Sequence, residues 1–86
     1  MSKQVLIKNQ LNANAEKHGY WEEYYENDNL CSIGYYNNGK HHGCWKRYWY
    51  NGNLCYIGNF VNDKRSGYWE TYHYFVNDLL TKKYYL

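Results

Sequence analysis

The residues through which this chain could do covalent or proton-transfer chemistry are Glu22, Glu23 and Glu70, the histidines His18, His41, His42 and His73, and the cysteines Cys31, Cys44 and Cys55. Paired carboxylates support general acid–base work only if they converge on one site. Glu22 and Glu70 instead sit at equivalent places in a repeated pattern, with Lys46 midway between them. That spacing predicts a Glu/Lys/Glu ladder across neighbouring strands, each opposite-charge pair contributing about 0.2–1 kcal/mol. No His-x-x-x-His or Cys-x-x-Cys spacing exists to hold a metal ion. A Cys–His nucleophile would need His18 or His41 beside Cys31 or Cys44, and nothing in the spacing forces that. Cys31 and Cys55 read as small half-buried residues, each facing a tyrosine. Three cysteines in a chain with no secretory signal are expected to be free thiols. Cys31 and Cys55, expected two strands apart at roughly 4.8 Å per strand, also exceed the roughly 7 Å Cα limit for a disulfide. The expectation is no enzyme, no catalytic residue, no metal and no cofactor.

The elements that carry these residues come from a 24-residue echo, since His18-Gly19-Tyr20-Trp21 returns as His42-Gly43-Cys44-Trp45 and as Ser66-Gly67-Tyr68-Trp69. A fixed period of this size marks one supersecondary unit copied along the chain. Inside each unit apolar residues alternate with period two and break at Asn27-Asp28 and Asn51-Gly52, which are signals for two-residue type I′ turns. Each unit is therefore predicted to be a β-hairpin. Counting back from the turns places Tyr25 opposite Leu30, Tyr24 opposite Cys31, Trp21 opposite Gly34 and Trp45 opposite Gly58. An indole lying over a strand glycine uses the space its missing side chain leaves, so Gly34 and Gly58 are expected to seat the tryptophan of their own hairpin.

Side chains two apart share a face. One face carries Trp21, Tyr25, Leu30, Gly34 and Tyr36, then Trp45, Trp49, Leu54, Gly58 and Phe60, and is the expected core. The other carries Tyr20, Tyr24, Cys31, Ile33 and Tyr35, then Cys44, Tyr48, Cys55, Ile57 and Asn59. The connections Asn38 to Gly43 and Asn62 to Gly67 must keep strand parity, or every tryptophan would turn to the wrong side. Val5 to Gln10 reads as a partnerless first strand and Leu80 to Tyr85 as the last. Because Asn77-Asp78 arrives two residues late, Trp69 is expected near Tyr84, without a glycine. The fold class expected is all-β, a single meander of antiparallel β-hairpins with about seven strands and no helix.

The string Gly-x-Trp-x-x-Tyr-x-x-Asn-Gly-x-Leu-x-x-x-Gly-x-Phe-x-Asn-x-Lys from Gly43 to Lys64 resembles the MORN repeat, in the variant typical of bacterial and large-virus proteins. Gly19 to Lys40 matches nearly as well, and Gly67 to Leu86 in its first half. The resemblance implies one twisted-sheet domain over residues 1–86, with a partial unit 1–17 and repeats 18–41, 42–65 and 66–86. It also implies a binding or scaffolding role, and similarity to antitoxins or immunity proteins paired with secreted nucleases.

Composition narrows the partner. The chain has 86 residues, 13 of them Tyr and 4 Trp, with no Pro and a net charge of +2. That charge is too mild, and too mixed with acids, to favour nucleic acid or anionic lipid. The rival reading of the aromatics is stacking on single-stranded nucleic acid, with Lys46, Arg47, Lys64 and Arg65 beside Tyr48 and Tyr50. No stretch approaches the roughly 18 apolar residues of a membrane span, and Met1–Gln10 lacks a signal-peptide core, so a cytoplasmic location is expected, that of a host if the chain is viral. A one-layer sheet must curl its tryptophan face closed or bury it against a second chain, which makes a homodimer an option, and edges at Val5 and Tyr84 invite strand addition. The function expected is a protein-binding inhibitor: an antitoxin, immunity protein or phage-type counter-defence factor that blocks a toxin or defence nuclease. Its contacts are expected at Tyr20, Tyr24, Tyr48, Tyr50, Tyr68 and Tyr72, with Trp21, Gly34, Trp45, Gly58 and Trp69 as structure.

Overall fold

The computed structural model describes residues 7–76 and 78–86, so Val5 and Leu6 of the expected first strand and Asn77 of the expected last turn lie outside the described residues. Seven strands follow in chain order: β1 (Gln10–Leu11), β2 (Lys17–Tyr24), β3 (Leu30–Asn37), β4 (Lys40–Tyr48), β5 (Leu54–Val61), β6 (Lys64–Tyr72) and β7 (Leu79–Tyr85). They form one antiparallel sheet in the order β1-β2-β3-β4-β5-β6-β7. The all-β meander expected from the alternation is the observed architecture. No helix among the described residues is long and apolar enough to cross a membrane.

The turns differ from expectation in where each type falls. Tyr25 N–H donates to Asn29 C=O, and Asp28 N–H to Tyr25 C=O. This closes a three-residue loop, Glu26 to Asp28, in which Asp28 alone takes a positive φ, of 70°. Trp49, Asn53 and Gly52 repeat the arrangement, with Gly52 at φ 92°. The expected two-residue turns at Asn27-Asp28 and Asn51-Gly52 are thus type I turns followed by a left-handed residue. Asparagine is favoured there for its side chain: Asn27 Oδ1 accepts from Asn29 N–H and Asn51 Oδ1 from Asn53 N–H, both at 3.0 Å. Two-residue type I′ geometry appears between the units instead, at Asn38-Gly39 (φ 48° and 85°) and Asn62-Asp63 (φ 49° and 68°).

The longer loop shifts the register by one bulge. Trp21 faces Gly34 and Trp45 faces Gly58 as expected, but Tyr24 pairs with Leu30 and Tyr48 with Leu54. Cys31 and Cys55 are the extra residues of these bulges, not partners of Tyr24 and Tyr48. Leu30 therefore sits beside Tyr24 and Leu54 beside Tyr48, away from the expected tryptophan face, because directly opposed residues share a side. In the third hairpin Trp69 pairs with Lys83. The offset is one residue, not the two that the late Asn77-Asp78 suggested.

The glycine seats are occupied by a different tryptophan. A Cβ built on Gly34 would meet the indole of Trp45, and one on Gly58 would meet that of Trp69. The reason lies in the pairing of β3 with β4, which jumps from Ile33↔Lys46 to Tyr35↔His42. Gly34 thus faces the bulged run Gly43-Cys44-Trp45, and Gly43, at φ +85°, supplies the left-handed turn that lets the strand bulge. β5 and β6 repeat this from Ile57↔Glu70 to Asn59↔Ser66. Each indole is fixed by its Nε1, Trp45 donating to Tyr35 C=O at 2.9 Å and Trp69 to Asn59 C=O at 3.1 Å. Trp69 has no glycine in its own hairpin, as expected, and is seated on Gly58 of the preceding one. Trp21 has Gln10 at the position where Trp45 and Trp69 have Gly34 and Gly58, and its Nε1 donates to Gln10 C=O.

Seating links each hairpin to the next and builds the core. Trp21, Tyr36, Trp45, Phe60, Trp69 and Tyr85, one from each of β2 to β7, form an edge-to-face chain with centroids 4.9–6.4 Å apart. Trp45 and Trp69 keep only 2% and 1% of their surface exposed. The tryptophan face thus covers its central indoles within one chain. His41, which the sequence left without a role, belongs to this cluster, its ring 4.5 Å from Trp45 and 4.9 Å from both Tyr36 and Phe60. Its Nδ1 lies 2.8 Å from Asp63 Oδ1, and its backbone N–H donates to the same oxygen.

Candidate functional site

The face opposite the tryptophans carries the tyrosines. Tyr20, Glu22 and Tyr24 alternate along β2, so all three project to one side. Glu22 accepts a phenol proton on each carboxylate oxygen, from Tyr20 at 2.9 Å and Tyr24 at 2.8 Å. Lys8 Nζ adds a 2.7 Å ion pair. On β6 the same spacing gives Tyr68 and Tyr72 donating to Glu70 at 2.8 and 2.6 Å. Four of the six expected contact tyrosines are thus held in two Tyr–Glu–Tyr clamps. A clamped phenol has already lost much of its side-chain freedom, which lowers the entropy lost on binding.

The clamps fix protonation as well as position. Lys8 foremost, then the phenols of Tyr24 and Tyr20, hold the Glu22 carboxyl down to about 2. Tyr72 and Tyr68 lower Glu70 in the same way. Burial and the bond to Glu22 push Tyr20 up to about 12, and the bond to Glu70 pushes Tyr68 up to about 12. Near neutral pH the carboxylates are charged and the phenols are donors. Because Glu22 is lowered in the folded state, its contribution is present above the ordinary 4.5 and is lost as pH falls toward about 2. Glu22→Gln, which stands in for the protonated carboxyl, is therefore expected to lower the melting temperature near neutral pH and to flatten its fall across that acid range, so that variant and wild type converge toward about pH 2. An identical acid limb in wild type and variant would refute the role of the clamp.

The other expected contacts are placed differently. Tyr48 is half-buried and its carbonyl accepts the Tyr25 phenol at 2.7 Å. Tyr50 lies on the hairpin loop, where its carbonyl accepts Asn27 and Asn29 amides at 3.0 Å and its ring packs 5.3 Å from Tyr25. Asn51 and Asn53 make the same pair of bonds to Tyr74 C=O. These bonds tie each loop to its neighbour, so Tyr48 and Tyr50 belong in part to the framework of the repeat.

Two tyrosines that the sequence reading did not select complete the surface. Tyr35 pairs with Tyr20 across β2 and β3, centroids 5.4 Å apart, and Tyr84 with Tyr68 across β6 and β7, 5.0 Å apart. They are 55% and 73% exposed, more than the tyrosines they lean on. The alternation already put Tyr35 on this face; the cross-strand partner of a selected tyrosine was the available clue. In the middle unit the matching pair is Cys44 and Asn59. The face therefore has a tyrosine-rich patch at each end and a strip of smaller side chains between.

The expected Glu/Lys/Glu ladder is corrected by the register. Across the sheet the row reads Glu22, Ile33, Lys46, Ile57, Glu70, Lys82. An isoleucine stands between each glutamate and Lys46, so the carboxylates are not its direct partners. Lys46 is exposed. Cys31 and Cys55 are half-buried and Cys44 is exposed, all three as free thiols. Burial pushes the Cys55 thiol up, toward the unreactive form. Among the described residues no three His, Cys, Asp or Glu side chains gather as a metal site, and no cavity is enclosed.

These features define a single-layer antiparallel sheet of repeated hairpins, closed on its tryptophan side and open on its tyrosine side. No family model, curated protein or solved structure matches the chain.

Proposed function

We propose that this chain is a non-enzymatic protein-binding module of MORN-like repeats, whose tyrosine face blocks a partner protein in the manner of an antitoxin, immunity protein or phage-type counter-defence factor. The observation that carries the reading is the pair of Tyr–Glu–Tyr clamps, which present preoriented phenols at both ends of one open face. Tyrosine is enriched at binding hot spots because a rigid ring supplies apolar area and its hydroxyl a polar tip. A clamped hydroxyl still accepts a hydrogen bond from a partner. The strip of Cys44, Asn59 and Lys46 between the patches leaves room for a projecting acidic side chain to meet Lys46.

Affinity capture from a lysate of the organism that carries the gene tests this, with Tyr35→Ala/Tyr84→Ala and Tyr24→Ala/Tyr68→Ala as paired variants. Both pairs are expected to reduce recovery of a specific protein at least about tenfold, as losses of two hot-spot residues do. Recovery should change little between low and physiological salt, since the contact is centred on tyrosine rather than on phosphate neutralisation. Equal recovery by folded variants and wild type would refute the tyrosine face. Capture that falls steeply with salt, together with bound oligonucleotide, would refute the protein-inhibitor reading.

A further inference from the structure

The last strand, β7, is paired with β6 on one side, and among the described residues no strand pairs with its other side. Over Thr81–Tyr85, beyond the bulge that leaves Leu80 without a partner on β6, alternate backbone N–H and C=O groups are therefore turned outward, a template for one more strand. The chemistry of this edge is selective. Lys82 projects to the tyrosine face beside Glu70, and Lys83 to the tryptophan face, its Nζ 5.0 Å from the Tyr85 ring. Tyr84 follows the two lysines directly and Leu80 precedes them by one residue beyond Thr81; the two are 73% and 54% exposed.

Two features exclude another copy of the repeat. Lys83 stands opposite Trp69, at the position that Gly34 and Gly58 hold opposite Trp21 and Trp45, so no further indole can be seated on β7. A second β7 laid antiparallel would bring like charges together, which is how lysines guard an edge against self-association. The same charges attract carboxylates. Lys64 and Arg65 on the neighbouring strand add to the field. Although Glu70 opposes Lys82, Asp78 precedes the strand and Asp63 adjoins Lys64, the other five acids, Glu16, Glu22, Glu23, Glu26 and Asp28, lie at the β2 end of the sheet.

We propose that the outer edge of β7 takes up an extended segment of a partner protein as an additional strand, and that this segment carries two adjacent carboxylates flanked by apolar residues. Adjacent residues of an added strand point to opposite faces, so one carboxylate meets Lys82 and the next meets Lys83. The flanking apolar residues lie against Leu80 and Tyr84. Main-chain hydrogen bonds supply affinity and the charges supply register. Single-stranded nucleic acid fits this edge less well. Glu70 shares the face with Lys82, Tyr84 already leans on Tyr68, and Trp69 is too buried to stack a base. The proposal stands apart from the tyrosine-face reading, because it is tested with isolated peptides.

The test titrates the isotope-labelled chain with the peptide Thr-Val-Glu-Glu-Thr-Val-Thr and with its Lys-Lys counterpart, following backbone amide shifts. The acidic peptide is expected to perturb β7 and to bind at least about tenfold more tightly than the basic one. Lys82→Glu/Lys83→Glu is expected to invert that preference, with circular dichroism showing that the variant folds. Two further peptides are N-methylated at alternate residues, in the two possible phases. Only one phase blocks the amides that face the sheet, so one is expected to abolish binding and the other to spare it. Equal binding by both phases would show attraction by charge alone and overturn strand addition. Tighter binding of oligothymidylate than of the acidic peptide at the same amides, or no peptide binding at millimolar concentration, would overturn it as well.

Discussion

Gly58→Ala is expected to destabilise the sheet by about 2–3 kcal/mol, a large effect for adding one methyl group. The added Cβ would sit 2.0 Å from Trp69 Cδ2, well inside van der Waals contact. Gly58 has an ordinary strand φ, so the penalty is steric and comes from lifting the indole off its seat. Lifting it also breaks the Trp69 bond to Asn59 C=O and the edge-to-face contact with Phe60. For a domain of this size each kcal/mol moves the melting temperature by roughly 4–8 °C, so the variant should melt well below wild type. Gly34→Ala should behave alike, through Trp45. A double-mutant cycle identifies the partner, since removing the clashing side chain removes the clash. Trp69→Ala should couple strongly to Gly58→Ala, and Trp45→Ala only weakly. The reverse result would mean that each glycine seats the tryptophan of its own hairpin.

Trp69→Ala and Trp45→Ala should each cost about 3–5 kcal/mol, as truncation of a buried aromatic does. That is comparable to the whole stability of a small domain, roughly 3–5 kcal/mol, so both variants should sit close to their unfolding midpoint in plain buffer. The urea ranking and the cycle with Gly58→Ala are therefore read in a fixed concentration of trimethylamine N-oxide, which restores a folded baseline. Each indole fills a seat and joins two rings of the aromatic chain, Trp45 donating to Tyr35 C=O and Trp69 sharing its N–H between Asn59 C=O and Ser66 C=O. Arg65 adds to Trp69, its guanidinium carbon 4.6 Å from the ring. Trp21→Ala should cost clearly less. Trp21 shares the motif, but it is half-buried, rests on no glycine and touches the chain of rings only through Tyr36. Urea unfolding followed by far-ultraviolet circular dichroism ranks the three. Equal losses for Trp21 and Trp69 would show that the motif position, rather than the seat, sets the energy.

Much of the fold was legible in residues 18–72. The 24-residue period and the alternation fixed the hairpins, and the pairs Trp21↔Gly34 and Trp45↔Gly58 followed by counting. The turn types were not legible from Asn27-Asp28 and Asn51-Gly52. The same residues serve a two-residue turn with both φ positive or a longer one with a single left-handed residue. A residue gained in the loop is compensated by a bulge, which displaced Cys31 and Cys55 from their expected partners without disturbing the pairs beyond it. Of the six expected contact tyrosines, four meet in the clamps because alternation alone puts Tyr20 with Tyr24 and Tyr68 with Tyr72. Tyr48 and Tyr50 lie close to a bulge or on a loop, where alternation no longer states direction.

By itself the sequence determined that the chain is a meander of hairpins, which residues share a face along the regular strand runs away from the bulges, and where Trp21, Trp45 and Trp69 stand along their strands, because these follow from local periodicity. Only the tertiary structure decided which tryptophan covers which glycine and where the row of charges is interrupted. Those contacts cross from one hairpin to the next, where the bulge after the left-handed Gly43 and Gly67, not the count of residues, sets the path of the indole.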